Sequence, residues 1–347
     1  MKLLISGYAW RGGMLNYLGK GFEQNNLDVK YVFFHAKGSF ASKFLNEFSR
    51  FQSVSNLIEL EKYNKFVIKK AQEFEPNILF VTGGGRLFPE TVKYFKEVLK
   101  CKTVCYIADN PFDSSRDPLV GMSLRFFTHI FVCEKSWIQN ISNVSPYSII
   151  KPISVGYNPE KFYPIQDNTI TLNDFKKYSC DISFTGSNYN NNAEGAYRAG
   201  ILAQLSTYDL RIWGNGNWNK RIKYFPELTG CIKGEFLSFE NLLKLYKLSK
   251  INMNLPSPQI ITGFQPRVFE IAAAKGFQII DYRDDLLDFF SKDEMVTFKG
   301  PKELREKTNY FLYNENERIQ ITEHLYQKVK NNYSWQSISK IILDNIT

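Results

Sequence analysis

The chain lacks a long hydrophobic run, a metal-binding motif and a rich supply of cysteine or histidine. No segment approaches the roughly 20 consecutive apolar residues that a membrane-spanning helix needs. At the amino terminus the apolar run covers only residues 3–5, whereas the apolar core of a secretory signal peptide takes about 7–15 residues. We therefore expect a cytoplasmic protein without a membrane span or a signal peptide.

Cysteine and histidine are too few and too scattered to suggest a disulfide framework or a metal site. The five cysteines are odd in number, and no second pair of cysteines or histidines joins Cys101 and Cys105 to complete a zinc site. No HExxH, GxSxG, GxGxxG or Walker pattern is present. Asp284 and Asp285 follow a predicted strand, but acidic residues are favoured at the start of any helix. We expect no bound metal and no cofactor.

The charge of the chain is basic, without a dense basic segment. The formal net charge of +9 and the pI near 9.1 favour anionic partners such as phosphates or acidic lipids. Lysine and arginine are spread along the chain, unlike the basic arms of nucleic-acid-binding proteins. We expect no nucleic-acid partner. Peripheral contact with an anionic membrane stays open, and so does a host proteome that is basic in general.

The pattern of apolar residues predicts an α/β protein with two Rossmann-like domains. Nearly continuous apolar segments alternate with amphipathic segments of about a dozen residues, which is typical of βαβ units and parallel sheets. The predicted strands are 2–6, 29–34, 77–82, 103–108 and 129–133 in the first half, and 181–185, 210–213, 251–255 and 277–281 in the second. Because residues 151–172 contain three prolines and little periodicity, we predict a first domain over 1–155, a linker over 156–172 and a second domain over 173–332.

The strongest local signal is the segment GFQPRVFEIAAAKGFQII, residues 263–280. Pro266 suits the first position of a helix, which we expect to run to Lys275 with Gly276 as its C-cap. The amino terminus of that helix, beside a loop that contains Gly263 and Phe264, is a typical anion site. We also predict a helix that begins after Ser238 as its N-cap.

Two charged residues in this segment suggest how it binds a ligand. Arg267 lies in the first turn, where it opposes the helix dipole, and its guanidinium can clamp phosphate oxygens. Glu270 follows one turn later and can accept hydrogen bonds from ribose hydroxyls. The alternative is an ordinary amphipathic helix with a solvated Arg–Glu pair.

A second candidate site is the turn that contains Gly186 and Ser187, directly after a predicted strand. Small residues at this position can let backbone N–H groups approach phosphate. The helix that follows carries Arg198, which the spacing alone predicts to be a surface residue. An ordinary βα turn is the alternative.

The first domain offers a third candidate site, because ligands of open parallel sheets bind at the carboxyl ends of the strands. Four residues in two glycine-containing turns follow predicted strands and are expected on the acceptor side: Arg11, Gly12, Gly13 and Gly84. Asp109 ends another strand and could act as a general base, although an Asx-type turn before Pro111 explains it equally. His35 follows a strand and is a second candidate base.

Several motifs of the second half resemble a known family. They are ISVGYNPEKFYP (153–164), DISFTGS (181–187), LRIWGNGNW (210–218), SKINMNLP (249–256), PRVFEIAAAKGFQIID (266–281) and YSW (333–335). In this order they resemble the group 1 glycosyltransferases of the spore-maturation-protein (CgeB-like) branch, which have the GT-B fold. The resemblance covers residues 153–335, and the first domain matches only in layout and in the ADNP segment, residues 108–111.

The resemblance implies two Rossmann-like domains that face a cleft, with the donor on the second domain and the acceptor on the first. It implies that Glu270 holds the ribose, that Arg267, Arg198 and the Gly186 turn face the diphosphate, and that Trp213 and Gly214 lie near the nucleobase. It also implies that the last helix, about residues 333–347 and including Trp335, joins the first domain. Many retaining relatives carry a glutamate where this chain has Thr262, so inversion and retention both stay open.

The expected activity is therefore glycosyl transfer of a hexosyltransferase kind, as in the biosynthesis of cell-surface polysaccharides. The donor would be a UDP-, GDP- or dTDP-sugar, and the acceptor a glycan, a lipid-linked molecule or a protein. Arginines and helix termini would stabilise the leaving diphosphate without a metal, and Asp109 or His35 would deprotonate the acceptor if the reaction inverts. The alternatives are a GT-B-like sugar-nucleotide epimerase and a non-catalytic protein that binds nucleotides or glycans.

Overall fold

A computed structural model describes residues 1–8, 13–34, 49–83, 85–112, 118–188, 193–215, 217–291 and 293–346. The chain divides into two compact units, Met1–Ser154 with Trp335–Thr347, and Val155–Ser334. Residues 156–172, predicted as a linker, belong to the second unit, where Tyr157 forms a parallel bridge with Ser334.

The elements follow one another in a regular α/β order. The strands are β1 (Lys2–Tyr8), β2 (Asp28–Phe34), β3 (Ile78–Thr82), β4 (Lys102–Ile107), β5 (His129–Val132), β6 (Ile149–Pro152), β7 (Cys180–Thr185), β8 (Leu210–Trp213), β9 (Ile232–Gly234), β10 (Ser249–Asn254), β11 (Gln278–Asp281) and β12 (Val296–Phe298). The α-helices are α1 (Met14–Gln24), α2 (Ser49–Phe74), α3 (Pro89–Glu97), α4 (Pro118–Ser123), α5 (Ile138–Val144), α6 (Leu172–Tyr178), α7 (Ala193–Ala203), α8 (Trp218–Arg221), α9 (Phe239–Leu248), α10 (Arg267–Ala273), α11 (Pro301–Tyr313), α12 (Glu315–Asn332) and α13 (Trp335–Ile346). Short 3₁₀ helices cover Leu124–Phe126, Lys135–Trp137, Asp167–Thr169, Pro226–Leu228 and Asp284–Asp288.

Each unit contains one six-stranded parallel sheet, which confirms the predicted α/β class with two Rossmann-like halves. The strand order is β2-β1-β3-β4-β5-β6 in the first unit and β12-β11-β10-β7-β8-β9 in the second, and neighbouring strands run parallel. All nine predicted strands are present. The sequence analysis missed β6, β9 and β12, which are short and lie at sheet edges, where burial on both faces no longer imposes a continuous apolar run.

The first unit has a core that fits its sequence pattern, because β3, β4 and β5 are almost completely buried. Its last helix, α13, returns from the carboxyl end of the chain and packs on α1. At this contact the backbone of Gly21 approaches so closely that a Cβ atom would lie 2.8 Å from the carbonyl oxygen of Trp335. The Ser339 hydroxyl also donates to the carbonyl of Leu18, at 3.1 Å.

In the second unit, one predicted helix cap is confirmed and another is wrong. Ser238 is the N-cap of α9, and its hydroxyl accepts a hydrogen bond from the N–H of Asn241 at 3.3 Å, as predicted. The predicted C-cap at Gly276 is wrong, because α10 ends at Ala273 and Lys275 adopts the left-handed conformation with a φ of 55°. Gly276 is instead a position of close packing, since a Cβ atom there would lie 2.9 Å from the Ile271 side chain.

Among the residues that the structure describes, no helix combines the length and the apolar character needed to cross a bilayer.

Gly214 fixes the distance between the ends of β7 and β8, and we predict that Gly214→Ala destabilises the protein by about 1–3 kcal/mol through overpacking. A Cβ atom at this position would lie 2.1 Å from the carbonyl oxygen of Gly186 and 2.6 Å from Trp218 Nε1. Urea unfolding of the variant and the wild type measures the effect.

Gly200→Ala is the matched control, because it lies within α7 and its Cβ would have only an ordinary contact, 3.6 Å from Phe225. Alanine there should stabilise the protein by about 0.5–1 kcal/mol, since glycine is a poor helix former. Equal free energies of unfolding for the two variants would contradict the proposed packing role of Gly214.

Candidate functional site

Arg267 lies at the start of α10 and reaches the carboxyl end of β7. Its Nη1 donates a hydrogen bond to the carbonyl oxygen of Thr185, with a distance of 2.5 Å. Its Nε is buried and has no hydrogen-bond partner among the described residues. Leaving a buried donor without an acceptor costs about 1–3 kcal/mol, so this guanidinium is well suited to binding an acceptor group of a ligand.

Tyr246 on α9 completes the surroundings of this guanidinium. The Tyr246 hydroxyl lies 3.5 Å from Thr185 Oγ1, and its ring is buried. Burial raises the pKa of the Tyr246 phenol, while the positive charge of Arg267 acts in the opposite direction. The sequence analysis missed Tyr246, because an aromatic residue on the apolar face of a helix has the pattern of an ordinary core residue.

Glu270 lies one helical turn after Arg267 and is half-buried. Burial raises the pKa of its carboxyl group, and the charge of Arg267 offsets only part of this effect. No described residue donates a hydrogen bond to its carboxylate oxygens. The predicted pair of a cation and an acceptor is therefore present, and Glu270 has its full accepting capacity available for hydroxyl donors.

The predicted amide cluster around α10 differs from the expectation. The N–H of Val268 bonds to the carbonyl of Gln265 at 3.2 Å, and the N–H of Phe269 bonds to that of Pro266 at 2.9 Å. These two first-turn amides are therefore not free for phosphate, because the chain enters the helix through a tight 3₁₀-like turn. The side chain of Arg267 stays the candidate group for binding phosphate.

The loop before α10 is held by aromatic packing rather than by an open glycine turn. Gly263 and Phe264 are buried, and the Phe264 ring packs edge-on against Phe269 and Phe289 at 5.5 and 5.3 Å. Phe264 therefore anchors the loop in the core. Thr262, in place of an acidic residue, donates its hydroxyl hydrogen bond to Asp285 Oδ2 at 3.1 Å.

The turn after β7 has its polar backbone groups largely occupied. The N–H of Gly186 bonds to the carbonyl of Trp213 at 3.0 Å, and the carbonyl of Gly186 accepts from Trp218 Nε1 at 2.8 Å. The Gly186 N–H is thus not free for a phosphate, contrary to the expectation. A Cβ atom at Gly186 would lie 3.4 Å from Arg267 Nη1, so the absence of a side chain lets the guanidinium approach the strand end.

Arg198 is buried, with 4% of its surface exposed, so the prediction from spacing that it lies on the surface is wrong. Its Nη1 donates to the carbonyl of Ser187 at 3.0 Å, and its Nε donates to that of Leu255 at 3.3 Å. Arg198 therefore connects the turn after β7 to the start of the loop between β10 and α10. Its guanidinium supports the backbone of the site.

Trp213, expected near a nucleobase, is 2% exposed and packs against Tyr178 with 5.9 Å between the ring centroids. Together with Leu245 these rings form a small core cluster. Gly214 next to it serves the close packing described above.

The acceptor-side predictions fall partly on described residues of the first unit. Gly13 precedes α1 as its N-cap, and Asp109 is exposed in the turn after β4. The Asx-type turn is formed by Asn110, whose Oδ1 accepts from the N–H of Phe112 at 3.0 Å. Arg11, Gly12, His35 and Gly84 lie outside the described residues. Within the described ranges, no three His, Cys, Asp or Glu side chains converge as metal ligands would.

Comparison with solved structures identifies the architecture. A sucrose-phosphate synthase from Thermosynechococcus elongatus superposes with a TM-score of 0.71 and 11% identity, covering 99% of this chain and 98% of that one. HepE from Anabaena, in complex with UDP, superposes with a TM-score of 0.66 and 12% identity, covering 100% and 99%. The fold is GT-B.

Two further comparisons concern a sequence family and another solved structure. A family model described as glycosyl transferase-like matches residues 198–344, which include Arg267 and Glu270. A Listeria monocytogenes protein assigned as a UDP-N-acetylglucosamine 2-epimerase is also similar, with a TM-score of 0.61 and 9% identity, covering 99% and 95%. No curated protein matches the chain by sequence.

The raised pKa of Glu270 leads to a prediction about stability and pH. A carboxyl group with a higher pKa in the folded state binds more protons when folded, so its contribution weakens as the pH rises from about 4.5 through the folded-state pKa. Glu270→Gln removes this effect. Without ligand, the variant should gain stability relative to the wild type as the pH rises from 4.5 to 7.5, measured by urea unfolding.

Glu235→Gln is the control, because Glu235 is exposed and the substitution removes the same charge from the same unit. A stability difference between Glu270→Gln and the wild type that stays constant over this pH range would contradict the burial argument.

Proposed function

We propose that the protein is a nucleotide-sugar-dependent glycosyltransferase whose donor binds at Arg267 and Glu270. The observation that carries the proposal is the buried Nε of Arg267, which lacks an acceptor among the described residues, together with Glu270 one turn later, whose carboxylate lacks a donor among them. A nucleoside diphosphate supplies both: phosphate oxygens for the arginine and ribose hydroxyls for the glutamate. The glycosyl transferase-like match over residues 198–344 supports the same site.

The chemistry needs a group that stabilises the leaving diphosphate. Negative charge develops on this group as the glycosidic bond breaks, and a fixed guanidinium in a partly desolvated site stabilises that charge more effectively than water does. Arg267 is fixed by its bond to the Thr185 carbonyl, so little reorganisation is needed when the charge appears. The proposed reaction needs no metal.

The finer assignments are also part of the proposal. We propose that the enzyme belongs to the spore-maturation-protein (CgeB-like) branch, which the motifs of the second half resemble, and that it transfers a hexose to a glycan, a lipid-linked molecule or a protein. Asp109, exposed at the carboxyl end of β4, is the candidate general base for an acceptor hydroxyl if the reaction inverts. The similarity to HepE, which has been solved with UDP-glucose, makes UDP-glucose the first donor to test. We propose a cytoplasmic location, and the basic net charge favours peripheral contact with an anionic membrane.

We predict that the wild type is stabilised by one of UDP, GDP, dTDP or CDP in a thermal-shift screen. A ligand at 100 times its dissociation constant adds about 2.7 kcal/mol. Arg267→Ala should lower kcat/KM for transfer about 10²- to 10³-fold, because it removes a preorganised charge-stabilising group. Glu270→Ala should weaken the affinity for the nucleotide.

The control is Arg305→Ala, which removes an exposed guanidinium from α11. It should leave nucleotide affinity and turnover unchanged. Wild-type turnover and affinity in both Arg267→Ala and Glu270→Ala would overturn the proposed site.

A sugar-nucleotide epimerase is the second candidate, favoured by the structural similarity to the Listeria monocytogenes protein. Incubation of the wild type with UDP-N-acetylglucosamine alone, followed by NMR of the sugar, distinguishes the two reactions. We expect no epimer at C2. Conversion of the sugar without any acceptor would favour the epimerase and contradict the transferase.

A further inference from the structure

A second polar cluster lies in the second unit around the carboxylate of Asp281. The Tyr197 hydroxyl donates to Asp281 Oδ2 at 2.7 Å, and Arg283 Nη2 lies 3.0 Å from the same oxygen. Asp281 is 6% exposed, whereas Tyr197 is 38% exposed. The cluster therefore combines a buried carboxylate with an exposed tyrosine residue.

The cluster lies at the edge of the sheet where the ligand is expected. Asp281 is the last residue of β11, and β11 runs parallel to β10, so the cluster is at the same carboxyl edge as Thr185. Arg283 Nε donates to the carbonyl of Ile260 at 3.1 Å, which ties the cluster to the loop that leads into α10. Tyr197 also directly precedes Arg198, which holds the start of that loop.

The chemistry of the cluster suits a polyhydroxylated ligand. The Tyr197 oxygen donates to Asp281 and keeps lone pairs to accept a hydrogen bond, and its pKa of about 12, raised by burial and by Asp281, keeps it protonated at neutral pH. Arg283 and Asp281 neutralise each other, so the cluster neither attracts nor repels a diphosphate strongly. A buried ion pair adds little stability compared with apolar packing, so the fold alone gives little reason for it.

We propose that Tyr197, held in place by Asp281 and Arg283, contacts the sugar of the donor and helps to select it. The inference rests on the proposed function and adds the group that recognises the sugar. A site that bonds to a substrate hydroxyl discriminates strongly against sugars that lack the matching group. In this chain the Thr262 hydroxyl is already committed to Asp285, whereas Tyr197 is the exposed residue of this cluster.

The test separates recognition of the sugar from recognition of the nucleotide. Calorimetry with whichever of UDP, GDP, dTDP and CDP binds, and with the glucose conjugate of that nucleotide, gives two dissociation constants for each variant. Tyr197→Phe should weaken binding of the conjugate about 3- to 10-fold, equivalent to one hydrogen bond. Affinity for the nucleotide itself should change less than twofold.

Tyr208→Phe is the matched control, because its hydroxyl bonds to Asn309 Oδ1 at 2.6 Å elsewhere in the same unit, and it should change neither constant. Tyr197→Ala, which also removes the ring, should weaken the conjugate at least as much as Tyr197→Phe. Melting temperatures of all variants verify that they are folded.

Each remaining outcome counts against the inference. Equal weakening of nucleotide and conjugate, or no change in either, would show that Tyr197 does not read the sugar, while the proposed donor site would stand. A folded wild type that binds none of the four nucleotides would overturn the proposed function and this inference with it.

Discussion

The bond from Arg267 to the carbonyl of Thr185 is the interaction on which the candidate site depends. It joins the first residue of α10 to the last residue of β7, two elements separated by 82 positions in the chain. At the end of a parallel strand the ladder of backbone hydrogen bonds stops, so a carbonyl there can accept a hydrogen bond from a side chain. The bond from Nη1 to this carbonyl holds the planar guanidinium in one orientation. The direction of the Nε–H then follows from that plane and not from a second protein contact.

Close backbone packing makes room for that bond. The ends of β7 and β8 approach each other because Gly186 and Gly214 carry no side chain, and Trp218 donates its indole hydrogen bond into the same contact. Arg198 then holds the Ser187 carbonyl and the Leu255 carbonyl from the other side. The backbone groups of Gly186 and the carbonyls of Ser187 and Leu255 are thus bonded to protein groups.

The fold could be predicted well from the sequence, because the same pattern of apolar strands and amphipathic helices is repeated along the chain. Each central strand is buried on both faces and must be apolar throughout, so β3, β4 and β5 are visible from composition alone. The edge strands β6, β9 and β12 lack that constraint, and they were missed. Gly276 shows a second limit of prediction from sequence. A glycine after a helix is equally typical of a helix cap and of a close packing contact, and here the left-handed conformation of Lys275 decides between the two.

The candidate site could be predicted only in part, because its arrangement depends on contacts between segments that are distant in the chain. Arg267 and Glu270 were proposed from their own helix, where an arginine in the first turn opposes the dipole. The cluster of Tyr197, Asp281 and Arg283 joins two segments 84 positions apart in the chain, and each residue is unremarkable in its own context. Arg198 had the spacing of a surface residue, and its burial follows from two carbonyls that belong to other loops.

The central buried amides of this unit differ from the candidate site in how their polar groups are satisfied. The buried amides in the middle of the sheet are paired: Asn252 Nδ2 bonds to the carbonyls of Tyr246 and Phe277, and Asn254 Nδ2 bonds to Gln278 Oε1. Such a network rigidifies the strands only when its members are satisfied. Among the described residues, Arg267 Nε and the Glu270 carboxylate on α10 break this rule, because the donor has no acceptor and the acceptor has no donor. An unfilled hydrogen bond costs stability in the free protein, and a ligand bound as proposed, with phosphate oxygens and hydroxyls, would return this cost.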